Sequence, residues 1–307
     1  MDKGCLQITE IKRISRLYLG QSLYLCQSRK LHVTHRISIL YLFITALLWS
    51  TGGLLIKSIE AHPFAIAGGR SIIAGFVLWA FLRKPRFTFS IAQMIGALMY
   101  ALTVILFVLA NKLTGSANAI LLQYTGPIWV ALFSGFILKE HVSNIDWISV
   151  IVVIMGMCLF FLDGLTMSGL MGNIVAICSG FAFAGLAISL RMQKHDSPFE
   201  SILLGNILTG MFGAYWIFES LPMSSDSIIG LFLLGIVQLG IPYILYAKAI
   251  QHVTALESVL IPVLEPLLNP LWVFLAAGEI PGRGAFMGGA IVLLAIIIRG
   301  IVRQKQS

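Results

Sequence analysis

The sequence has few charged residues. Only 11% of the 307 residues are Asp, Glu, Lys or Arg, whereas hydrophobic residues make up 58%. An ordinary soluble domain has about 25% charged residues, so this composition excludes a soluble globular fold. The apolar residues gather in long runs, and the chain has room for about ten spanning helices of roughly 20 residues each. We therefore expect an all-α integral membrane protein.

Cysteine is also scarce, and its spacing is not that of a disulfide framework or a zinc site. The four cysteines are Cys5, Cys26, Cys158 and Cys178, and they form no pairs or clusters. The histidines lie in the N-terminal tail, in loops or at the ends of apolar runs, and the sequence contains neither H-E-x-x-H nor G-x-S-x-G. We therefore expect no metal site, no cofactor and no catalytic residue, so that the protein is not an enzyme.

The net charge of +8 is explained by the distribution of basic residues expected of a membrane protein, and it does not indicate nucleic-acid binding. Basic residues lie at the edges of the apolar runs. With the N-terminus inside, all of them except Lys57, Lys112, Arg283 and Arg70 fall on the cytoplasmic side. Cytoplasmic segments carry an excess of Lys and Arg. We therefore expect a multi-pass protein of the cytoplasmic membrane with both termini in the cytoplasm and no nucleic-acid partner.

Ten apolar runs are predicted to be transmembrane helices. They are 38–57, 63–82, 90–110, 115–138, 146–162, 168–190, 199–218, 227–247, 252–277 and 284–302. The polar, basic N-terminal segment has no signal-peptide pattern. We expect four parts, namely a flexible cytoplasmic tail at 1–37, a first five-helix repeat at 38–162, a second at 163–302, and a C-terminal tail at 303–307.

The two halves resemble each other in sequence. Residues 113–140 align with residues 252–279 without a gap, and both stretches keep a proline and a glutamate at the same separation. Because five helices is an odd number, the second repeat is expected to enter the membrane inverted relative to the first. Inverted repeats that meet near the bilayer midplane are typical of alternating-access transporters.

The ninth run contains three polar residues that are rare inside a spanning helix, Glu257, Glu265 and Asn269. Such residues normally face the protein interior or a water-filled cavity. Glu265 is the leading candidate for proton coupling, because an acid at that depth is either neutral or paired, and it is also a candidate for substrate binding. The alternative is a protonated acid that bonds a freed carbonyl and only shapes the helix. Glu257, nearer the cytoplasmic end, is the second coupling candidate.

The same run contains prolines at intervals of four, Pro262, Pro266 and Pro270. Each proline deprives the carbonyl four residues earlier of its donor, which frees the carbonyls of Ser258, Pro262 and Pro266 on one side of the helix. Pro127 is expected to bend the fourth helix in the same way. These four prolines are predicted hinges.

Arg70 is the one basic residue expected well inside a span. Its planar guanidinium matches the carboxylate of an amino acid, and the alternative is a structural pair with a glutamate or with helix-terminal carbonyls. Further substrate-binding candidates are aromatic or amide side chains, for which packing and interhelical hydrogen bonding are the alternatives. They are Trp49, Tyr100, Gln123, Tyr124, Asn206, Gln238, Tyr243, Tyr246, Asn269 and Trp272. Glu140 and Glu279 are expected to be structural, each capping the start of the following helix.

Four motifs follow one another along the chain. They are LLWSTGGLLIK at 47–57, AGGRS at 67–71, the KE at 139–140 that ends helix 4, and LEPLLNPLWVFLAAGE at 264–279. In this order they resemble the ten-helix, EamA-like branch of the drug/metabolite transporter superfamily, over nearly all of residues 38–302.

The resemblance implies a permease that exports amino acids or related metabolites. The inverted repeats make alternating access the expected mechanism, and the buried Glu265 adds the hypothesis of proton coupling. The resemblance also implies a cavity formed by helices 1–4 and 6–9, with helices 5 and 10 as outer support. The alternative is an importer or antiporter of sugar-linked or phosphorylated compounds, which predicts a more basic cavity; a membrane scaffold without transport is a third possibility. The expected partners are the lipid bilayer, a small metabolite and protons, and we expect a monomer because the chain already holds both repeats.

Overall fold

The computed structural model describes residues 34–160, 169–268 and 283–306, and the regular structure within these ranges is helical throughout. The helices are α1 (Thr34–Trp49), α2 (Gly52–Ser58), α3 (Pro63–Leu82), α4 (Ile91–Leu113), α5 (Ser116–Gln123), α6 (Gly126–Ile137), α7 (Asn144–Phe160), α8 (Leu170–Met192), α9 (Phe199–Glu219), α10 (Ser225–Leu233), α11 (Ile241–Ile250), α12 (Ala255–Leu260), α13 (264–268) and α14 (Arg283–Gln306). A π-helical segment, Leu234–Gly240, joins α10 to α11, and a 3₁₀ turn, Ile261–Val263, follows α12.

Each of the ten apolar runs overlaps helix in the described residues. Seven helical stretches of that part are long and apolar enough to cross a bilayer, and α1 and α7 are shorter apolar helices. The seven are Pro63–Leu82, Ile91–Leu113, Ser116–Ile137, Leu170–Met192, Phe199–Glu219, Ser225–Ile250 and Phe286–Arg303. The number of membrane crossings and the side on which each terminus lies stay predictions.

Several helices begin at residues that satisfy the free N–H groups of a first helical turn. The Ser90 side chain accepts a hydrogen bond from Gln93 N at the start of α4. At the start of α12, Thr254 and Glu257 form a reciprocal capping box. These caps fix where the helices begin, and therefore which side chains lie at the same level along neighbouring helices.

The core is formed by packing between the two halves of the chain. Helices α3 and α4 of the first half lie against α9 and α8 of the second, and α4 also contacts α9. Helices α7 and α14 pack mainly on each other, and their ends are joined where Arg299 Nε and Arg303 Nη2 bond the buried carboxylate of Asp146 at 2.8 and 2.6 Å. This arrangement leaves a central space bordered by both halves.

Large apolar side chains cover the outside of the bundle. They include Phe76, Trp79, Ile91, Phe136, Leu170, Met171, Met211 and Phe218, each more than half exposed. Apolar surface this extensive is not found on a soluble monomer. It fits a protein whose outer face lies in lipid.

Candidate functional site

Four helical stretches are interrupted beside the central space. The first breaks at Ser50 and Thr51 between α1 and α2, and the second at Tyr124 and Thr125 between α5 and α6. The other two contain the π segment and the 3₁₀ turn. Interruptions of this kind leave backbone groups without helical partners and are frequent at functional sites.

Two of the predicted hinge prolines lie at these interruptions. Pro127 stands in the first turn of α6, directly after the break, and Pro262 lies inside the 3₁₀ turn. Pro266 lies in α13. Pro270 lies outside the described residues, as do Asn269, Trp272 and Glu279.

The interruptions surround a cavity of about 40 Å³. Because one water molecule needs roughly 10–15 Å³ on this measure, the cavity has room for only a few waters. It is lined by Trp49, Arg70, Thr103, Val104, Phe107, Gln123, Tyr124, Phe183, Gln238, Leu239, Tyr243 and Glu265. Both halves of the chain contribute to this wall, and seven of the predicted substrate-binding residues are part of it.

Arg70 is fully buried and is held by neutral acceptors. Its Nη1 donates to Gln238 Oε1 at 2.9 Å, and its Nη2 donates to the Val104 carbonyl at 3.2 Å. Its Nε has no partner within the described residues, and no carboxylate in that part of the chain forms an ion pair with it. The predicted structural pair with a glutamate is therefore not found there.

Glu265 lies on the other half of the chain and contacts Tyr124. The Tyr124 hydroxyl is 2.7 Å from Glu265 Oε2 and 2.7 Å from the Pro262 carbonyl oxygen. Pro262 O is the carbonyl that Pro266 is predicted to free, because proline has no N–H to offer the residue four positions earlier. The donor comes from the first half of the chain instead.

The single hydroxyl hydrogen of Tyr124 bears on the protonation state of Glu265. A tyrosine hydroxyl has one hydrogen to donate and can accept through its lone pairs. That hydrogen can make one full hydrogen bond, to the Pro262 carbonyl or to the Glu265 carboxyl, or it can be shared between the two oxygens. A Glu265 carboxyl that carries a proton and donates it to the Tyr124 oxygen accounts for both short contacts as full hydrogen bonds.

Aromatic rings form the rest of the wall. Trp49 lies 5.2 Å from Tyr243, 5.6 Å from Tyr246 and 5.8 Å from Phe183, measured between ring centroids. The indole N–H of Trp49 is buried without a hydrogen-bond partner in the described part of the chain. Because an indole nitrogen is only a donor, Trp49 offers a ligand one N–H group. Phe183 was missed by sequence analysis, since a phenylalanine in an apolar helix gives no functional signal.

Three predicted substrate-binding residues do not line the cavity. The Tyr100 hydroxyl donates to Asn206 Oδ1 at 3.0 Å, and the Tyr246 hydroxyl lies 3.1 Å from Ser258 Oγ. The polar atoms of Tyr100, Asn206 and Tyr246 therefore form hydrogen bonds with residues that do not line the cavity. The rings of Tyr100 and Tyr246 pack against Tyr243 and Trp49, which do line the cavity, so they support its wall from outside.

Glu257 lies away from the cavity. Its carboxylate caps α12, lies 3.5 Å from His35 Nε2, and is 3.7 Å from Arg299 Nη1. The hydrogen bond with Glu257 raises the pKa of His35, which precedes the first apolar run. Neither Glu257 nor any of these partners lines the cavity, so the geometry gives Glu257 no contact with a cavity substrate.

Glu140 was expected to cap the helix that follows it, but its carboxylate contacts a different helix. One carboxylate oxygen accepts from Arg191 Nε at 2.7 Å and the other from Ala255 N at 2.9 Å. Glu140 therefore caps α12 and not the helix that follows it. The reason is spatial, because α12 packs on α6, whose end lies next to Glu140, and no sequence spacing reveals this contact.

The fold and the cavity together define a multi-pass helical membrane protein with a small cavity between its two halves, lined by polar, aromatic and aliphatic side chains. Within the described residues no group of three or more His, Cys, Asp or Glu side chains is placed to bind a metal. The family model for the EamA-like transporter family matches residues 36–162 and 170–300. The chain belongs to this family and is a membrane transporter.

Two relatives are described as transporters, and one solved structure has a similar fold. The chain is 25% identical over 288 residues to the uncharacterized transporter YwfM of Bacillus subtilis (strain 168), covering 87% of this chain and 95% of the relative. An uncharacterized transporter of Clostridium kluyveri is 21% identical over 293 residues, covering 87% and 94%. A crystal structure with a TM-score of 0.72 covers 88% of this chain and 99% of its own at 20% identity, which shows that the two folds are alike.

Proposed function

We propose that this protein exports amino acids or related small metabolites across the cytoplasmic membrane by alternating access. In this proposal ten helices cross the membrane as two inverted five-helix repeats with both termini in the cytoplasm. Family membership supports transport, and the cavity between the halves supports a site near the middle of the membrane.

The observation that carries the proposal is that Arg70 and Glu265 both line the same cavity. Arg70 has only neutral partners among the described residues, so its charge is free to meet an anionic group. A guanidinium binds a carboxylate through parallel hydrogen bonds, while an ionised Glu265 attracts an ammonium. A molecule with one carboxylate and one ammonium, which is an amino acid, complements both groups.

The small size of the cavity is explained if the two halves of the protein are closed on each other, a conformation that we call contracted. A space of about 40 Å³ is too small for an amino acid, so the two halves must separate to admit one. The interruptions in four cavity-lining stretches provide places where the backbone can bend. Substrate entry from either side therefore requires movement at these breaks.

Glu265 gives the proposal a route for proton coupling. In the contracted cavity the contacts to Tyr124 fit a protonated carboxyl. An ammonium binds the same group well only after that proton leaves, because a neutral carboxyl offers no charge to pair with. Proton and substrate then compete for one carboxyl, and inward movement of protons drives outward movement of substrate.

The alternative substrates, sugar-linked or phosphorylated compounds, fit the cavity less well. Arg70 is the one cationic side chain among the described residues that line it, whereas sites for phosphate usually use several basic groups. Import in place of export is tested by reversing the imposed gradient in the experiment below.

The test is uptake of a labelled amino-acid mixture into proteoliposomes whose interior is more acidic than the medium. We expect wild-type protein to accumulate label above empty vesicles, since proton exit drives entry, and Glu265→Gln to lose the gradient-dependent part. Glu219→Gln, at the exposed end of α9, is the matched control and should behave as wild type. Unchanged gradient dependence in Glu265→Gln would refute the coupling, and no accumulation by wild type under either gradient would refute the amino-acid substrate.

A further inference from the structure

We infer that Gln238 is a positioning residue that holds the Arg70 guanidinium toward the cavity, and that the absence of a side chain at Gly52 makes this possible. The inference rests on the proposed function, in which Arg70 binds the substrate carboxylate. Gln238 lies in the π segment of one half, and Gly52 follows the helix break of the other. The two interruptions therefore meet at Arg70.

The π segment lies directly on the backbone that carries Arg70. A side-chain carbon at Gly235, in the first turn of this segment, would be 2.9 Å from the Arg70 carbonyl oxygen. Only glycine permits so close an approach at this position. The approach brings Gln238 to the Arg70 side chain, where its amide oxygen accepts from Nη1 at 2.9 Å.

Gly52 confines the Gln238 side chain at its amide nitrogen, while Arg70 contacts the amide oxygen. A Cβ at residue 52 would lie 2.7 Å from Gln238 Nε2 and 3.0 Å from its Cδ. These atoms belong to the end of a flexible side chain and are therefore the part that would move. Gly52→Ala is expected to displace the amide of Gln238 from Arg70 without distorting the surrounding helices.

An amide is suited to this role because it has no charge. A glutamate at position 238 would have nearly the same shape and would also accept from Arg70, but it would neutralise the guanidinium. The observed glutamine orients the cation and leaves its charge for a ligand. The Nε group of Arg70, which has no partner within the described residues, is a further donor available to that ligand.

The inference predicts a specific change in substrate selectivity. The probes are unlabelled amino acids and the corresponding amino-acid amides, which lack the carboxylate, as competitors of the labelled mixture in proteoliposomes. We expect wild type to prefer each acid over its amide by about tenfold or more, since a hydrogen bond to a charged group is at stake. In Gln238→Glu and in Gly52→Ala this preference should fall toward one.

Two matched controls separate positioning from general disturbance. Gly53→Ala adds the same atom at the next residue, where the nearest neighbour would be Ile120 Cδ1 at 3.6 Å. Gln93→Glu makes the same chemical change in the first turn of α4, away from the cavity. Both controls should keep the wild-type preference for the acid. If Gln238→Glu and Gly52→Ala keep it as well, Gln238 does not position Arg70 for a substrate.

A second measurement needs no substrate. The melting temperature in detergent should fall in Gly52→Ala, but the same substitution should have no effect in a Gln238→Ala background, where the space is already open. Additive effects of the two substitutions would overturn the contact, whatever the protein transports. If wild type accumulates no amino acid, the assignment of Arg70 to a carboxylate falls with the proposed function, and the melting temperatures alone decide whether Gly52 confines Gln238.

Discussion

At the level of single residues, Tyr124 joins the two halves of the cavity through one oxygen atom. Its hydroxyl contacts both the Pro262 carbonyl and Glu265. Tyr124→Phe removes this oxygen and leaves two buried oxygens without that partner. We expect the free energy of unfolding to fall by about 1–3 kcal/mol, the usual cost of an unsatisfied buried group. The measurement is thermal unfolding of the purified protein in detergent.

Tyr215→Phe is the control for this substitution, since Tyr215 is 68% exposed and its loss of a hydroxyl should change little. Glu265→Gln should not add its full effect to that of Tyr124→Phe, because the two side chains share one hydrogen bond. Equal melting temperatures for Tyr124→Phe and Tyr215→Phe would show that the Tyr124 hydroxyl contributes nothing to stability.

Sequence analysis could select residues of the cavity but could not pair them. Polar side chains within apolar runs are rare enough to indicate Arg70 and Glu265. Their partners, Gln238 and Tyr124, are 168 and 141 positions away along the chain, and no local pattern connects positions so far apart. The same limit explains Glu140, which caps a helix that begins 115 positions later.

At the level of helices, the apolar runs locate the elements but not their interruptions. Proline explains the 3₁₀ turn around Pro262 and the break before Pro127. The break at Ser50 and Thr51 and the π segment contain no proline, and both lie inside runs that the sequence predicts as continuous helices, 38–57 and 227–247. The apolar content of a run indicates that it lies in the membrane. It gives no information on whether the backbone hydrogen bonds follow the α-helical, π or 3₁₀ spacing.

The pair formed by α7 and α14 depends on the close approach of their backbones. Gly284 and Gly288 form a G-x-x-x-G, a spacing that permits such contact between helices, and Gly288 lies against α7. A Cβ at residue 288 would collide with the Gly156 carbonyl oxygen and with the Phe160 backbone. We expect Gly288→Ala to lower the free energy of unfolding by about 1–3 kcal/mol, as overpacking does, measured by thermal unfolding in detergent.

Gly289→Ala is the matched control for this prediction. The added carbon would lie 3.6 Å from the Phe160 ring, which is ordinary van der Waals contact. It should therefore leave the melting temperature within a degree or two of wild type, in the range of neutral substitutions. A similar loss in both variants would mean that α14 tolerates no added bulk on this side, and that the contact with Gly156 has no special role.

At the level of the whole molecule, two halves of similar sequence meet across one cavity. Helices α3 and α4 of the first half pack on α9 and α8 of the second, so each half completes the core of the other. A polar cavity bordered by both halves is the arrangement that alternating access requires, because movement of one half against the other opens each side in turn. The sequence predicts the doubling, but the cavity arises only from the packing.

Inversion of the second half makes a prediction about topology that is independent of any substrate. Five helices per repeat place equivalent loops of the two halves on opposite sides of the membrane. The loop after α3 contains Lys84, and the equivalent loop after α9 contains Met223. The excess of Lys and Arg on one side assigns Lys84 to the cytoplasm and Met223 to the outside.

Single cysteines at these two positions, in a chain whose native cysteines are replaced by serine, test this prediction in intact cells. We expect a membrane-impermeant maleimide to label Met223→Cys, and to label Lys84→Cys only after the cells are opened. Ala61→Cys, in the loop between α2 and α3, and His195→Cys, after α8, repeat the test, with Ala61→Cys labelled from outside and His195→Cys protected. Labelling of both members of either pair from the same side would rule out inversion, because parallel repeats place equivalent loops together. If every position were labelled from the opposite side, the inverted fold would stand, but both termini would lie outside. Arg191 and Glu140, which are expected on the cytoplasmic side, would then also face the outside.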